Sequence, residues 1–231
     1  MRGLFVTGTD TGVGKTVLSA ALLAAMAAAG EPVRAYKPVL TGLGERATPD
    51  DTGPWPPDHE LLATASGIAP EEVAPLRYGP AVSPHLAAEL AGESIDPARL
   101  LAAAHVRAEG ATLIVEGVGG LLVPLAGDYT VCDLAAALRL PVLIAARPGL
   151  GTINHTLLTL KAARTAGLDV LAVVLTPWPA EPSELERSNF ETIAHAGAVE
   201  VVGLGTVPSP DPAELARAGA DLPWRRWLEE A

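Results

Sequence analysis

The sequence predicts an α/β fold, a doubly wound and mainly parallel sheet flanked by helices. Three observations carry this reading. Short apolar runs are nearly continuous rather than alternating, helix-length stretches separate them, and the first run leads directly into a glycine loop. Continuous apolar strands belong to sheets covered on both faces. Strand–helix alternation builds parallel sheets through right-handed crossovers, and such sheets bind ligands beyond the carboxyl ends of their strands.

The elements follow in order. Residues 4–7 form the first predicted strand, and 16–29 an alanine-rich helix between Lys15 and Glu31, too short to span a bilayer. A second strand covers 33–36. Residues 41–57, rich in Gly, Pro, Asp and Thr without periodicity, read as a long surface loop. Ser83-Pro84 has the grammar of a helix start, N-cap then first-turn proline, for a helix over 84–91. Another helix is expected at 97–109, then strands at 112–115 and 142–145, a helix at 152–166, a strand at 170–175, a helix at 182–196 and a strand at 201–203. No repeat or linker interrupts the chain, so residues 1–231 are expected to form one domain.

Charge and cysteine content narrow the function classes. With 16 basic against 27 acidic residues the net charge is −11, which argues against binding nucleic acid. The single cysteine, Cys132, excludes an intramolecular disulfide and a cysteine-cluster metal site. No signal-peptide pattern or membrane span is seen, so a soluble protein of the cytoplasm is expected. Cys132 reads as an inert apolar residue, and Trp224 and Trp227 as packing or interface anchors.

The glycine loop Gly8-Thr9-Asp10-Thr11-Gly12-Val13-Gly14-Lys15-Thr16 has the mechanics of a P-loop. Its backbone amides can curl around phosphate oxygens at a helix N-terminus. Lys15 can reach the β- and γ-phosphates, and the Thr16 hydroxyl can ligate Mg²⁺. Five residues rather than four separate Gly8 from the Gly14-Lys15 pair. ATP chemistry follows. Glu116, at the end of a predicted strand, stands where a metal-directed acid is usual, and Gly117–Gly120 would let backbone approach a ligand. Thr11 and Thr41 can donate hydroxyl hydrogen bonds or simply cap turns.

A set of further motifs appears in chain order: Tyr36-Lys37-Pro38-Val39, Ser83-Pro84-His85, Glu116-Gly117-Val118-Gly119-Gly120 and Leu150-Gly151-Thr152-Ile153-Asn154-His155. Together with the P-loop, the chain resembles the dethiobiotin synthetases. The resemblance implies ATP- and Mg²⁺-dependent closure of a urea ring on 7,8-diaminononanoate with CO₂, through a carbamate and a carbamic–phosphoric anhydride. It also implies a homodimer with the substrate site at the interface.

Residue by residue, the resemblance gives catalytic roles to Lys37, Lys15 and Thr11. The nucleotide falls to Gly12, Val13, Gly14, Lys15, Thr16, Val17, Asp58, Glu116, Gly117, Val118 and Gly119, with Thr176, Pro177, Pro208, Ser209 and Pro210 towards the base. Substrate contacts fall to Thr11, Lys37, Thr41, Gly119, Leu150, Gly151, Thr152, Asn154 and Asn189, the last from a neighbouring subunit. Metal ligation falls to Thr16, Asp58 and Glu116. Asp58 could instead cap a helix, and Asp50 and Asp51 compete with it for the metal. Two positions depart from the family pattern. Gly12 replaces an acid found in some members, and Thr176 stands where an Asn can read adenine, which predicts weaker base discrimination. The rival reading, a partition or positioning ATPase, lacks its signature lysine at Thr9, Asp10 or Thr11.

Overall fold

The computed structural model describes residues 1–44 and 55–230. In chain order the elements are β1 (Gly3–Gly8), α1 (Lys15–Ala28), β2 (Val33–Tyr36), β3 (Val39–Leu40), α2 (Asp58–Ser66), α3 (Pro70–Val73) and β4 (Leu76–Arg77). Then come α4 (Pro84–Leu90), α5 (Pro97–Arg107), β5 (Thr112–Glu116), β6 (Pro124–Ala126), β7 (Tyr129–Thr130), α6 (Val131–Leu138) and β8 (Val142–Ala146). The chain closes with α7 (Thr152–Thr165), β9 (Val170–Trp178), α8 (Glu184–Gly197), β10 (Glu200–Gly205), α9 (Pro212–Ala220) and α10 (Trp224–Glu229).

The main sheet has the order β10-β9-β8-β1-β5-β2, and every pairing in it is parallel. Side-chain alternation explains the continuous apolar runs. Leu4 and Val6 of β1, with Leu143 and Ala145 of β8, face a core shared with α1, α2, α9 and α10. Phe5, Val142 and Ile144 face the opposite core, shared with α4 to α8. The central strands β1 and β8 are therefore buried on both sides, as a doubly wound sheet requires. The alanine content of α1 has a packing reason: a Cβ placed on Gly219 of α9 would lie 2.0 Å from the Ala21 carbonyl oxygen. Only small residues permit that approach.

All six sheet strands expected from sequence are present, each extended by at most a few residues except β2, whose limits coincide. Several helices were not anticipated: α3, α6, α9 and α10. Residues 41–44 and 55–57 of the expected loop carry neither helix nor strand; its middle, with Asp50 and Asp51, lies outside the described residues. Ser183 caps α8 through a capping box with Glu186, which moves the helix start two residues past the expected 182. Ser83 does not cap α4: its side chain accepts no capping hydrogen bond, contrary to expectation. Trp224 and Trp227 are packing residues of the α1-side core, and the indole Nε1 of Trp227 donates to Glu200. Among the described residues no helix is long and apolar enough to cross a membrane.

Candidate active site

β1 is the switch point of the sheet: the chain runs from it to the edge strand β2, returns to β5 beside β1, then crosses to β8 on the other side and continues outwards to β9 and β10. The P-loop leaves the carboxyl end of β1 and enters α1 through Gly14, whose φ of 89° is left-handed. Glycine is required there twice over, because a Cβ would also lie 2.6 Å from the Thr176 methyl. Lys37 follows β2 immediately and Glu116 ends β5, the strand between β2 and β1. Three adjacent strand ends therefore deliver Lys15, Glu116 and Lys37 to one place.

The side chains meet there. The Lys37 ammonium donates to Asp58 Oδ2 at 2.5 Å and to Glu116 Oε1 at 2.5 Å. Thr16 Oγ1 donates to the same Glu116 oxygen at 2.9 Å, while Lys15 Nζ donates to the Asp10 carbonyl at 2.8 Å. Lys37 and Glu116 are buried, 3% and 1% exposed, and Lys15 nearly so. Asp58 is the first residue of α2, whose N-cap is Pro57, so the capping alternative for Asp58 fails. Its carboxylate is spent on Lys37 instead.

Each charge state has a cause. Burial opposes the Lys37 charge, but the fields of Glu116 and Asp58 and the hydrogen bonds to both hold it above the ordinary lysine value. Burial likewise works to raise Asp58, and the Lys37 field, with the hydrogen bond from Lys37, outweighs it and holds the carboxyl below the ordinary value. Lys15 is displaced downwards, first by burial and then by repulsion from Lys37, against the pull of Glu116, Asp58 and Asp10. A buried lysine on the low side of its range is an ammonium short of anionic partners, and phosphate would supply them.

A cavity of about 820 Å³ opens over this cluster. It is lined by Thr11, Gly12, Gly14, Lys15, Thr16 and Val17 of the P-loop region, by Lys37, Thr41 and Asp58, and by Val118 and Gly119 beyond β5. Val13 and Gly117 are its buried support rather than its wall. A metal has oxygen donors here: Thr16, Asp58 and Glu116, whose Oε2 is buried with no hydrogen-bond partner. A hydroxyl and two carboxylates fit a hard divalent cation. Among the described residues no group of three His, Cys, Asp or Glu gathers elsewhere to hold a metal.

Comparisons with known proteins bear on this geometry. Residues 2–214 match a family model described as an AAA domain. An ATP-dependent dethiobiotin synthetase BioD of Anaeromyxobacter dehalogenans is 44% identical over 94% of this chain and 95% of its own length. The enzyme of the same name from Bacillus subtilis subsp. natto is 38% identical, over 88% of this chain and 87% of its own. The chain belongs to the dethiobiotin synthetase family. Solved structures similar in fold include a ParA family ATPase from Chlorobium tepidum, with a TM-score of 0.52, 14% identity and coverage of 100% of this chain and 92% of that one. The Pyrococcus furiosus cell division ATPase MinD has a TM-score of 0.52 at 19% identity, covering 95% and 89%. At those identities the likeness is of the P-loop fold alone.

Other residues expected in a dethiobiotin synthetase site lie apart from the large cavity. Leu150 and Thr152 line a second cavity of about 110 Å³ with Thr9, Asp10, Val13, Arg147 and His155, and the exposed Gly151 and Asn154 flank them. The P-loop thus borders both cavities. Asn189, expected to reach a neighbouring subunit's substrate, is 4% exposed and donates its amide to the carbonyls of Pro148 and Gly149 at 2.8 and 3.2 Å. In the single chain it fixes the turn ahead of α7. Thr176 is buried against Gly14, with Pro177 exposed after a cis peptide bond. Pro208, Ser209 and Pro210 lie in the segment between the edge strand β10 and α9.

Sequence reasoning gave no site role to several residues of the large cavity, Ser83 and Trp55 among them. Ser83, assigned to capping, makes no capping hydrogen bond with its side chain and lines the cavity wall. Trp55, inside the expected surface loop, lines the same wall. Ser83 carried no signal of this, since Ser-Pro reads as a helix start in any context.

Proposed function

We propose that the chain carries out the reaction of its family, the ATP-dependent closure of dethiobiotin's urea ring on 7,8-diaminononanoate, and that the large cavity is where it occurs. The observation that carries this reading is Lys37, a buried ammonium held between Asp58 and Glu116 beside the P-loop lysine. A cation so placed can compensate charge on an incoming carbamate and on the phosphoryl group it attacks.

The proposed sequence keeps atoms in balance. One substrate amine adds to CO₂ and loses a proton, giving a carbamate. A carbamate oxygen attacks the γ-phosphorus of ATP and ADP departs, leaving a carbamic–phosphoric anhydride. The second amine attacks the carbamoyl carbon, phosphate leaves, and the ring closes. Backbone amides of Gly12 to Thr16 and the Lys15 ammonium hold the triphosphate, and Lys37 neutralises the transferring group. Thr11, Thr41 and Ser83 offer hydroxyls to the carbamate and amines.

Two lysines and two carboxylates leave the site without the positive charge that a triphosphate and a carbamate together need. We propose Mg²⁺ as the remainder, held through Thr16, Glu116 and Asp58; when bound it supplies electrostatic neutralisation of phosphate oxygens. The base is proposed to lie on the β9 side, towards Thr176 and Pro177 and the 208–210 segment. A homodimer is proposed from Leu150, an apolar side chain 91% exposed at the mouth of the second cavity, with Leu158 on the same helix region 58% exposed. A partner covering that face would bring the Leu150–Asn154 turn to the distal carboxylate. A cytoplasmic location accords with the lone thiol, Cys132.

Incubation with diaminononanoate, bicarbonate and Mg-ATP tests the reading, with dethiobiotin and phosphate both measured. Stoichiometric release of both, dependent on the diamine, is expected. Phosphate release indifferent to the diamine would overturn it.

A further inference from the structure

The large cavity has two kinds of wall. One carries the P-loop, Lys37 and Asp58; the other is largely apolar, with Leu40, Val82, Pro84, Val123 and Trp55 beside the hydroxyl of Ser83. Trp55 is the one aromatic side chain among the described residues of that lining, and it keeps 36% of its surface exposed. A tryptophan left facing solvent in a concave, largely apolar wall is surface open to a ligand. Its backbone is restrained as well. Trp55 precedes Pro56 and Pro57, which fix φ and hold the residue before them extended. Asp58 follows, tied to Lys37 at 2.5 Å. Three residues of chain keep the Trp55 backbone within about 11 Å of the backbone of Asp58, whose carboxylate makes that ion pair.

Sheet order decides which end of the reaction the indole serves. β9, whose Thr176 packs on Gly14, and β2, which leads into Lys37, lie on opposite sides of β1. A triphosphate wrapped by the loop after β1 has its base on one side and its phosphoryl acceptor on the other. Trp55 stands with Lys37 and Asp58 on the acceptor side.

We propose that Trp55 determines acceptor specificity by packing its indole against the hydrocarbon beside the diamine's reacting carbons. The inference rests on the functional reading above. The indole offers apolar area to methyl and methylene groups, and its π-face attracts the amine that still carries a proton. An acceptor with vicinal amines on an alkyl chain satisfies both.

Steady-state kinetics on Trp55→Ala and Trp55→Phe test this, together with tryptophan fluorescence. The KM for diaminononanoate is expected to rise about tenfold in Trp55→Ala, while the KM for ATP moves less than about twofold. Trp55→Phe should recover most of the loss. Adding the diamine without nucleotide should change the fluorescence of the native protein and not that of Trp55→Phe. An unchanged diamine KM in Trp55→Ala overturns the proposal, as does a rise confined to the ATP KM, which would place the indole on the base. A native chain that forms no dethiobiotin overturns the functional reading and this proposal with it. A native chain that turns over beside an unaffected Trp55→Ala overturns this proposal alone.

Discussion

The Lys37 ammonium and the Glu116 carboxylate meet at 2.5 Å across the carboxyl ends of neighbouring parallel strands, both almost wholly shielded from water. Register makes the meeting possible. Tyr36 pairs with Val115, so the next residue of each chain emerges at the same height above the sheet. Glu116 thereby orients Lys37 towards the P-loop as well as balancing its charge.

Substitution of Lys37 follows from that placement. Lys37→Ala removes the fixed cation from the transferring group but leaves the P-loop amides and Lys15 intact. Turnover is expected to fall about 10²–10³-fold, with ATP affinity within a few-fold of native. Lys37→Arg should not rescue, because a planar guanidinium cannot replace a point charge seated between two carboxylates. Paired measurements of kcat and nucleotide binding check both expectations.

Lys15→Ala should behave differently. Lys15 is buried and has no anionic hydrogen-bond partner among the described residues, its ammonium turned to the Asp10 carbonyl. Phosphate is the partner that stabilises it, so its loss should weaken ATP binding and turnover together. Isothermal titration with a non-hydrolysable ATP analogue would show the first, and the ring-closure assay the second.

The parts of this architecture that were legible in the sequence share a physical origin. Strands buried on both faces leave continuous apolar runs, so β1, β2, β5, β8, β9 and β10 were readable without their partners. The P-loop lysine and Thr16 were readable because their chemistry is local, a turn feeding a helix. Glu116 was readable as an acid at a strand end, Lys37 gained its role through the family likeness, and their pairing, across 79 positions, was not legible at all. Short helices hid for two reasons. α6 opens with a Thr130–Asp133 capping box, but its eight residues are mostly apolar and resemble a strand. α9 has an Asp211 cap and a first-turn proline in a stretch read only for nucleotide contacts. Trp55 was invisible because nothing local says that it lines a cavity.

The ion cluster also predicts a dependence of stability on pH. Lys37 is held above its ordinary value of 10.5. Its contribution is therefore complete below that pH and is lost as pH rises through the folded value. Asp58 is held below its ordinary 3.8, so its contribution is complete above that pH and is lost as pH falls through the folded value. In Lys37→Met the cation is gone and Asp58 loses the field that holds it down. The difference in melting temperature between native and variant should be constant from about pH 6 to 9 and shrink above 10.5. Thermal scans across that range check it; a difference that holds constant into the alkaline region would contradict the pairing.

Gly14 joins the nucleotide loop to β9, and its replacement separates two costs. Gly14→Ala places a side chain at φ 89°, for which a left-handed backbone costs about 1–2 kcal/mol. It also drives the new Cβ to 2.6 Å from the Thr176 Cγ2 methyl, a buried group that cannot swing into solvent. The variant should melt several degrees below native and bind ATP more weakly, because the amides of Gly12 to Thr16 shift with the loop. Thr176→Ser deletes the offending methyl and keeps the hydroxyl. Added to Gly14→Ala, it should return the part of the lost stability due to the clash and leave the part due to φ. A double-mutant cycle in thermal stability, showing a favourable coupling of about 0.5 kcal/mol or more, would establish that the two residues touch. Strict additivity would mean that backbone strain alone makes glycine necessary at the entrance to α1.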